Sequence, residues 1–475
     1  MSSFAIRSIL VDGVLLGARR RSPALGLAAI CLGFLMITLD ATIVNLALGP
    51  IVSDLGGSLA AAQWIVNGYT LAFASLLLTA GALADRVGAR AGFAIGLGVF
   101  ALGSAVCAVA VSLPMLIASR VLQGLGAAWL MPCSLALIGH TFPGPLERRR
   151  ALAIWGGASG IGLASGPVLG GVLTSAIGWR AIFLVNVPVA AVAGLLLLRH
   201  VQETRRHRHP LDVAGQLLAI AALSLLTAGF IVAGEKGWGT GPSLALLGAG
   251  VLSAIAFAAA ERIATHPMVD PALFRARTFS VSVTIGLIFN LCLYGGLFCL
   301  AVDLHETHGL NALSTGLAML PMTLVTGAVA FLSGRAVSRF GEWPVMLAGL
   351  TAGVMAAVLV ALNATYGAVW VLIASSVPLG ATALVMPAMT AVVIGAAPGH
   401  RIGLASGVLN AARQTGGAFG VALLGALLAA GGDEVSLHLA FAVIAGAYAT
   451  GVVLALVGRM HSTTSKPTQL QIVEV

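Results

Sequence analysis

The sequence predicts an all-α polytopic membrane protein. Fourteen spanning helices form two six-helix bundles, with two extra helices between them and both termini in the cytoplasm. Three observations predict this. The composition leaves too little polar surface for a soluble fold. Basic residues fall almost wholly on one side of the apolar runs. The second half of the chain repeats motifs of the first at a nearly constant offset.

Of the 475 residues, 59% are hydrophobic and only 9% are charged, against about 25% charged in soluble domains. The 60 glycines suit helices that approach closely in lipid. The apolar runs are continuous, which excludes the alternating pattern of an outer-membrane barrel. The five cysteines (Cys31, Cys107, Cys133, Cys292 and Cys299) lie inside apolar runs, so they read as small core residues outside any disulfide or metal pattern. The N-terminal stretch has no small-residue cleavage site after an apolar core, and no removable signal peptide is expected.

A spanning helix needs roughly 20 apolar residues. The first six runs are 24–48, 63–84, 92–112, 114–139, 151–174 and 181–199. Two more, 211–233 and 242–262, precede a second set of six at 279–301, 313–333, 344–363, 368–396, 402–429 and 437–458. With an even count both ends share a side, and that side holds 21 of the 25 Lys and Arg residues. They include Arg19, Arg20 and Arg21 before the first span, Arg148, Arg149 and Arg150 after the fourth, and Arg205, Arg206 and Arg208 after the sixth. The opposite side holds Arg180 and Lys236, and Arg120 and Arg413 lie within spans. The positive-inside rule places the basic side in the cytoplasm. The net charge of +9 is then topology and contact with anionic lipid, and nucleic acid is not an expected partner.

"GALADRVG" at 81–88 and "GRAVSRFG" at 334–341 share G-x-x-x-x-R-x-G, each between the second and third spans of its set. "PLER" at 145–148 matches "PGHR" at 398–401 at the same offset, and "LGAAWLMP" ending at Pro132 echoes "LGATALVMP" ending at Pro387. The repeat divides the chain into a bundle at 1–200, a linker with two extra helices at 201–265, a second bundle at 266–460 and a polar tail at 461–475. Parallel repeats of this kind mark transporters that bind substrate between the halves near the midplane. The segment 199–211, "RHVQETRRHRHPL", reads as a solvated cytoplasmic loop, and a metal role for His200, His207 and His209 is set aside. "DLHETH" at 303–308 lacks the H-E-x-x-H register and reads as an exposed outer loop, so no metal site is expected.

An acid near the bilayer centre costs ~2.5–3.5 kcal/mol on insertion scales, which makes Asp40 a functional candidate. It lies eight residues from the outer end of the first span, and Arg120 lies six residues into the fourth. These are depths of roughly 12 and 9 Å, so the two can pair and offset part of each burial cost. A static pair that only fixes packing is the plain alternative. Arg413 and Gln414 fall about 15–17 Å into the thirteenth span, near the midplane. Asn45, Asn67, Gln123 and Asn290 could line a cavity or bond helix to helix. Trp129, Trp155 and Phe289 could supply the apolar wall that a small-molecule site needs, while Trp64 reads as an interface belt residue. No nucleophile–base pair, metal motif, Walker A sequence or soluble output domain is found, so neither an enzyme nor an ATP-driven machine is expected. "GASGIG" at 157–162 has no strand before it and is not a dinucleotide fingerprint.

Several motifs are similar to those of a known family. "LDATIVNLAL" at 39–48 resembles its first-helix motif, "GALADRVGAR" at 81–90 its superfamily loop motif and "RVLQGLGAA" at 120–128 its fourth-helix motif. "GLASGPVLGG" at 162–171 resembles the fifth-helix antiporter motif, and "GWRAIFLVNVP" at 178–188 is typical of its fourteen-helix members. Over nearly its whole length the chain resembles the fourteen-helix drug:proton antiporters of the major facilitator superfamily, close to the methylenomycin resistance type. The resemblance implies a secondary exporter of a small amphipathic compound across a bacterial cytoplasmic membrane. It would be driven by protons, with membrane lipids as neighbours and without cofactor or ATP. A uniporter or symporter of a small metabolite is the alternative on the same fold. The resemblance also implies a conformational latch against helix eleven, built from Gly81, Asp85, Arg86, Gly88 and Arg90. Gly81 would permit close helix approach, and Asp85 could be held by a facing helix N-terminus. The second copy has Ser338 in place of the acid. Gly162, Gly166, Pro167, Gly170 and Gly171 would form a groove and a hinge. Asp40, with Arg120, would couple transport to protons, because burial and a nearby arginine act on a carboxylate's ionisation in opposite senses.

Overall fold

The computed structural model describes residues 22–204, 206, 212–364, 368–398, 401–430 and 436–464. The first bundle comprises α1 (Pro23–Leu55), α2 (Leu59–Val87), α3 (Ala89–Ala108), α4 (Leu113–Thr141), α5 (Pro145–Ala176) and α6 (Ala181–His200). The two extra helices are α7 (Val213–Lys236) and α8 (Gly241–Ile263). The second bundle comprises α9 (Arg277–Glu306), α10 (Ala312–Phe340), α11 (Glu342–Asn363), α12 (Val369–Ala396), α13 (Ile402–Ala430) and α14 (Ser436–Thr464). Among the described residues, thirteen of these are long and apolar enough to cross a membrane. The remaining one, α13, is 29 residues long and carries Arg413, Gln414 and several glycines along its middle.

Prolines decide where helices deviate. α1 passes through a 3-10 turn at Val44–Ala47, where Pro50 cannot donate to the Leu46 carbonyl. It then continues to Leu55, beyond the expected end at 48. Its last turn is held by Asp54, which accepts from Trp179 Nε1 at 3.0 Å and Arg180 Nη1 at 2.9 Å. α12 is interrupted at Val377–Leu384, next to Pro378 and Pro387.

The repeat is visible in the packing. In the first bundle α1 packs on α5 and α6, and α2 on α4. In the second, α9 packs on α13 and α14, and α10 on α12. The turn glycines repeat as well. Gly56 and Gly309 have φ of +67° and +66°, and Gly88 and Gly341 have +102° and +82°. Both pairs are separated by 253 residues (309 minus 56, 341 minus 88). Each ends a helix in a conformation that a side chain would strain.

The two bundles meet along two seams, α5 against α10 and α2 against α13. Gln63 on α2 donates to the Val421 and Ala422 carbonyls of α13 at 3.2 and 3.1 Å. α7 lies across this second seam and touches both α2 and α13. Gln216 donates to the Ser75 carbonyl at 2.8 Å and accepts from Thr79 Oγ1, while Gly234 packs on Ala426. Trp64, near the outer end of α2, belongs to this contact, beside Ala60, Ile231 and Ala422. α8 packs on α7.

Two loops differ from expectation. The linker does not leave the protein at residue 199. Val201 is buried, and Glu203 accepts from the backbone N–H of Arg90 and of Ala91, each at 3.0 Å. An acid at the amino end of α3 is favoured by the unpaired N–H groups there. Residues 205 and 207–211 are outside the described part. "DLHETH" is not a free loop either. Asp303 is buried in α9, and His305 packs against Gly49 of α1, so the outer ends of the two halves touch here.

The topology makes a direct prediction. Reporter fusions after Gly239 and after Gly309 should map outside, and fusions within 205–211 should map inside. An inside location after Gly239 would overturn the span count.

Candidate functional site

Asp40 and Arg120 are both fully buried and form an ion pair, Arg120 Nη1 donating to Asp40 Oδ2. The other carboxylate oxygen accepts from Gln123 Nε2 at 3.1 Å and Asn186 Nδ2 at 2.9 Å. Ser104 Oγ accepts from both amides, at 2.7 and 3.3 Å. Arg120 Nε donates to the Ile65 carbonyl at 3.1 Å, and its guanidinium lies 4.5 Å from the Tyr69 ring centre, a cation–π contact in a dry site. The cluster therefore draws on α1, α2, α3, α4 and α6. Matching depths had predicted the pair. Asn186 escaped that reading, although it is the polar side chain within the sixth span and lies roughly 8 Å from that span's outer end. Gln123, expected in a cavity, is a member of this cluster. At the offset of 253 residues Asp40 corresponds to Leu293, so the pair belongs to the first half alone.

The glycines of α5 form two contact faces. A Cβ at Gly162 would lie 2.7 Å from the Leu35 carbonyl oxygen, one at Gly166 would overlap Thr42, and one at Gly170 would lie 2.6 Å from the Ile43 carbonyl oxygen. These residues, four apart, set α5 against α1. Gly171 faces the other way, where a Cβ would lie 2.6 Å from the Ala312 carbonyl oxygen of α10. Pro167 cannot donate to the Leu163 carbonyl, and Thr42 Oγ1 on α1 donates to that carbonyl at 3.4 Å. The motif thus lies where the first half's inner packing meets the seam between halves.

The loop motif is placed differently. A Cβ at Gly81 would meet only Pro132, at 3.6 Å, an ordinary contact. Close helix approach is therefore not what Gly81 provides, and Gly81→Ala should be tolerated in a thermal-stability assay. Gly88 and Arg90 engage residues 198–204 of their own half. A Cβ at Gly88 would strike the Glu203 carboxylate, and Arg90 Nη2 donates to the Leu198 carbonyl at 2.8 Å. Arg86 lies in the last turn of α2, as does Asp85, whose side chain is outside the described part. Ser338, the second-half counterpart, donates to the Arg335 carbonyl of its own helix at 2.9 Å.

Of the expected cavity residues, Asn290, Arg413 and Gln414 come together and the others lie apart. Trp129 is half-buried against Gly92 and Gly96 of α3. Trp155 stacks on Phe34 with ring centres 3.9 Å apart. Phe289 is buried in the core. Of the eight, Asn45 lines a small hollow at the outer seam, shared with Gly49, Ser58, His305 and Glu306. A second, narrow hollow is lined by Leu163 of α5 and by Leu293, Leu297, Met322, Thr326, Thr382 and Tyr448 of the second half. No charged side chain lines it. Two residues inward along α9, Arg413 Nε donates to Asn290 Oδ1 at 3.4 Å and Nη1 donates to Asn410 Oδ1 at 3.0 Å. Gln414 is half-buried beside it.

Comparison with known proteins agrees with this architecture. The profile of the Major Facilitator Superfamily matches residues 30–300 and again 283–472. The methylenomycin A resistance protein of Streptomyces coelicolor is 36% identical over 414 residues, 87% of each chain. The tetracenomycin C resistance and export protein of Streptomyces glaucescens is 38% identical over 421 residues, covering 86% of this chain and 77% of its own. Among solved structures, a peptide transporter crystallised with sulfate superposes with a TM-score of 0.67 at 16% identity, over 92% of this chain and 94% of its own. The last likeness is one of fold. The chain belongs to the major facilitator superfamily, within its fourteen-helix family of drug:proton antiporters.

Proposed function

We propose that this protein exports a small amphipathic compound across the bacterial cytoplasmic membrane in exchange for protons, with Asp40 as the proton-binding group. The observation that carries the reading is the Asp40 cluster, an intramembrane acid of the first half held by one cation and two amides from α4 and α6. A proton bound to the carboxylate removes the negative charge that holds the Arg120 guanidinium and so weakens the ion pair. Protonation thus favours opening of the pair, and opening it loosens the contacts of α1 with α4 and α6. α1 also packs against α5, which forms a seam with the second half. A change at Asp40 therefore has a short packed route to the surface along which the halves rock. The relatives support the cargo class, since their names record antibiotic resistance and export. The proton gradient supplies the energy, without cofactor or nucleotide.

The test is a drug-susceptibility panel in an efflux-deficient bacterial host, with and without this chain. Protection against at least one amphipathic antibiotic is expected, lost when a protonophore collapses the gradient. Protection that survives the protonophore would remove proton coupling, and no protection against any compound would remove the export reading.

A further inference from the structure

We propose that Arg413 and Asn290 form the head-group site for an anionic group on the exported compound, and that the neighbouring hollow takes its apolar body. The inference rests on the export reading and names the substrate class: an amphipathic molecule bearing a carboxylate or a similar anion.

Arg413 lies 11 residues into α13, roughly 16 Å from its inner end, and is half-buried there. An intramembrane cation pairs with an anion or with carbonyl oxygens, or faces a water-filled cavity or substrate path. Arg120 has Asp40. Among the described residues no carboxylate lies within ion-pair distance of Arg413. Its contacts are neutral: two amide oxygens and the Met386 sulfur at 3.6 Å. A guanidinium has five N–H donors, so some remain unused. Asn290 adds to the excess, because its Nδ2 is buried without a partner. The cluster is rich in donors, poor in acceptors and positively charged, which is the complement of a carboxylate.

The apolar part follows from helix geometry. Asn290, Leu293 and Leu297 are spaced three and four residues apart on α9 and share a stripe. Leu293 and Leu297 line the second hollow, whose α9 lining begins at Cys292, about 3 Å outward of Asn290. A head on Arg413 and a tail in the hollow make one continuous amphipathic site. Because Leu163 of α5 closes the hollow from the first half, the tail would touch both halves.

The test uses one skeleton with three charges: dansylaminoundecanoic acid, its methyl ester and the corresponding amine. Binding to purified protein in lipid nanodiscs is read from dansyl fluorescence. The acid should bind at least tenfold more tightly than the ester or the amine. Arg413→Gln should reduce that preference to within about twofold while ester binding persists, which also reports an intact hollow. Asn290→Asp, which places an internal carboxylate against the guanidinium, should likewise abolish the preference and keeps the test decisive if Arg413→Gln folds poorly. Equal binding of the three probes, tighter binding of the amine, or an acid preference that survives both variants would overturn the proposal. Proton-driven uphill transport of the ester or amine with no acid preference would leave the export reading intact and remove only the anion site.

Discussion

Asp40→Asn should abolish proton-driven uphill export, with at least a hundredfold loss of initial rate, while the protein still inserts into the membrane. The amide keeps the shape of the side chain and most of its hydrogen bonding, but it cannot exchange a proton. It also leaves Arg120 buried without its counter-charge, and breaking a buried pair in this way costs about 3–5 kcal/mol. Loss of transport in the single variant could therefore reflect loss of structure. The double variant Asp40→Asn with Arg120→Gln separates the two effects. It removes both charges and keeps amide partners within reach of Gln123, Asn186 and Ser104. Its melting temperature should recover toward wild type, and its uphill transport should not. Recovery of transport in the double variant would make the pair a structural bond only. Asp40→Glu should retain partial activity.

Gly170→Val should be the most damaging change in the fifth helix. Its first new carbon would lie 2.6 Å from a backbone oxygen of α1, and that oxygen cannot rotate away as a side chain can. The helices must separate, at a cost of about 1–3 kcal/mol or more, and the α1–α5 contact loosens together with the Thr42 bond to the Leu163 carbonyl. Transport should fall to background. Gly156→Ala and Gly157→Ala in the same helix meet nothing within 4 Å and should leave melting and transport near wild type. Equal damage at all three positions would argue that the glycines serve as a hinge along the whole helix. Damage confined to Gly170 locates their role in packing on α1.

Much of this architecture is legible in the sequence because lipid imposes simple rules. Apolar runs, one-sided basic residues and a repeat at 253 residues are enough for the helices and their order. The Asp40–Arg120 pair is legible because two charges at one depth in one bundle have few other ways to lower their cost. Applying the same depth argument to amides would have found Asn186. What the sequence conceals depends on which face of a helix a residue occupies. Trp129, Trp155 and Phe289 look like a ligand wall, yet each packs against a neighbouring helix, because aromatic side chains fill core and cavity by the same apolar contacts. Gly81 sits in a motif but faces only an ordinary side-chain contact with Pro132, whereas Gly162 and Gly170 meet backbone. Composition cannot distinguish them, since a glycine's role lies in what stands opposite. Glu203 reads as part of a charged loop because its partners are backbone N–H groups, which leave no trace in a side-chain pattern.

The central claim is that Asp40 carries the exchanged proton. Its most direct measurement is substrate-induced proton release from purified protein reconstituted in liposomes, comparing wild type with the charge-neutral double variant Asp40→Asn, Arg120→Gln. The account predicts that wild type releases protons when a transported compound is added, and that the double variant, folded to a similar melting temperature and still binding the compound, releases none. Unchanged proton release from the double variant would contradict it and place the coupling group elsewhere in the protein.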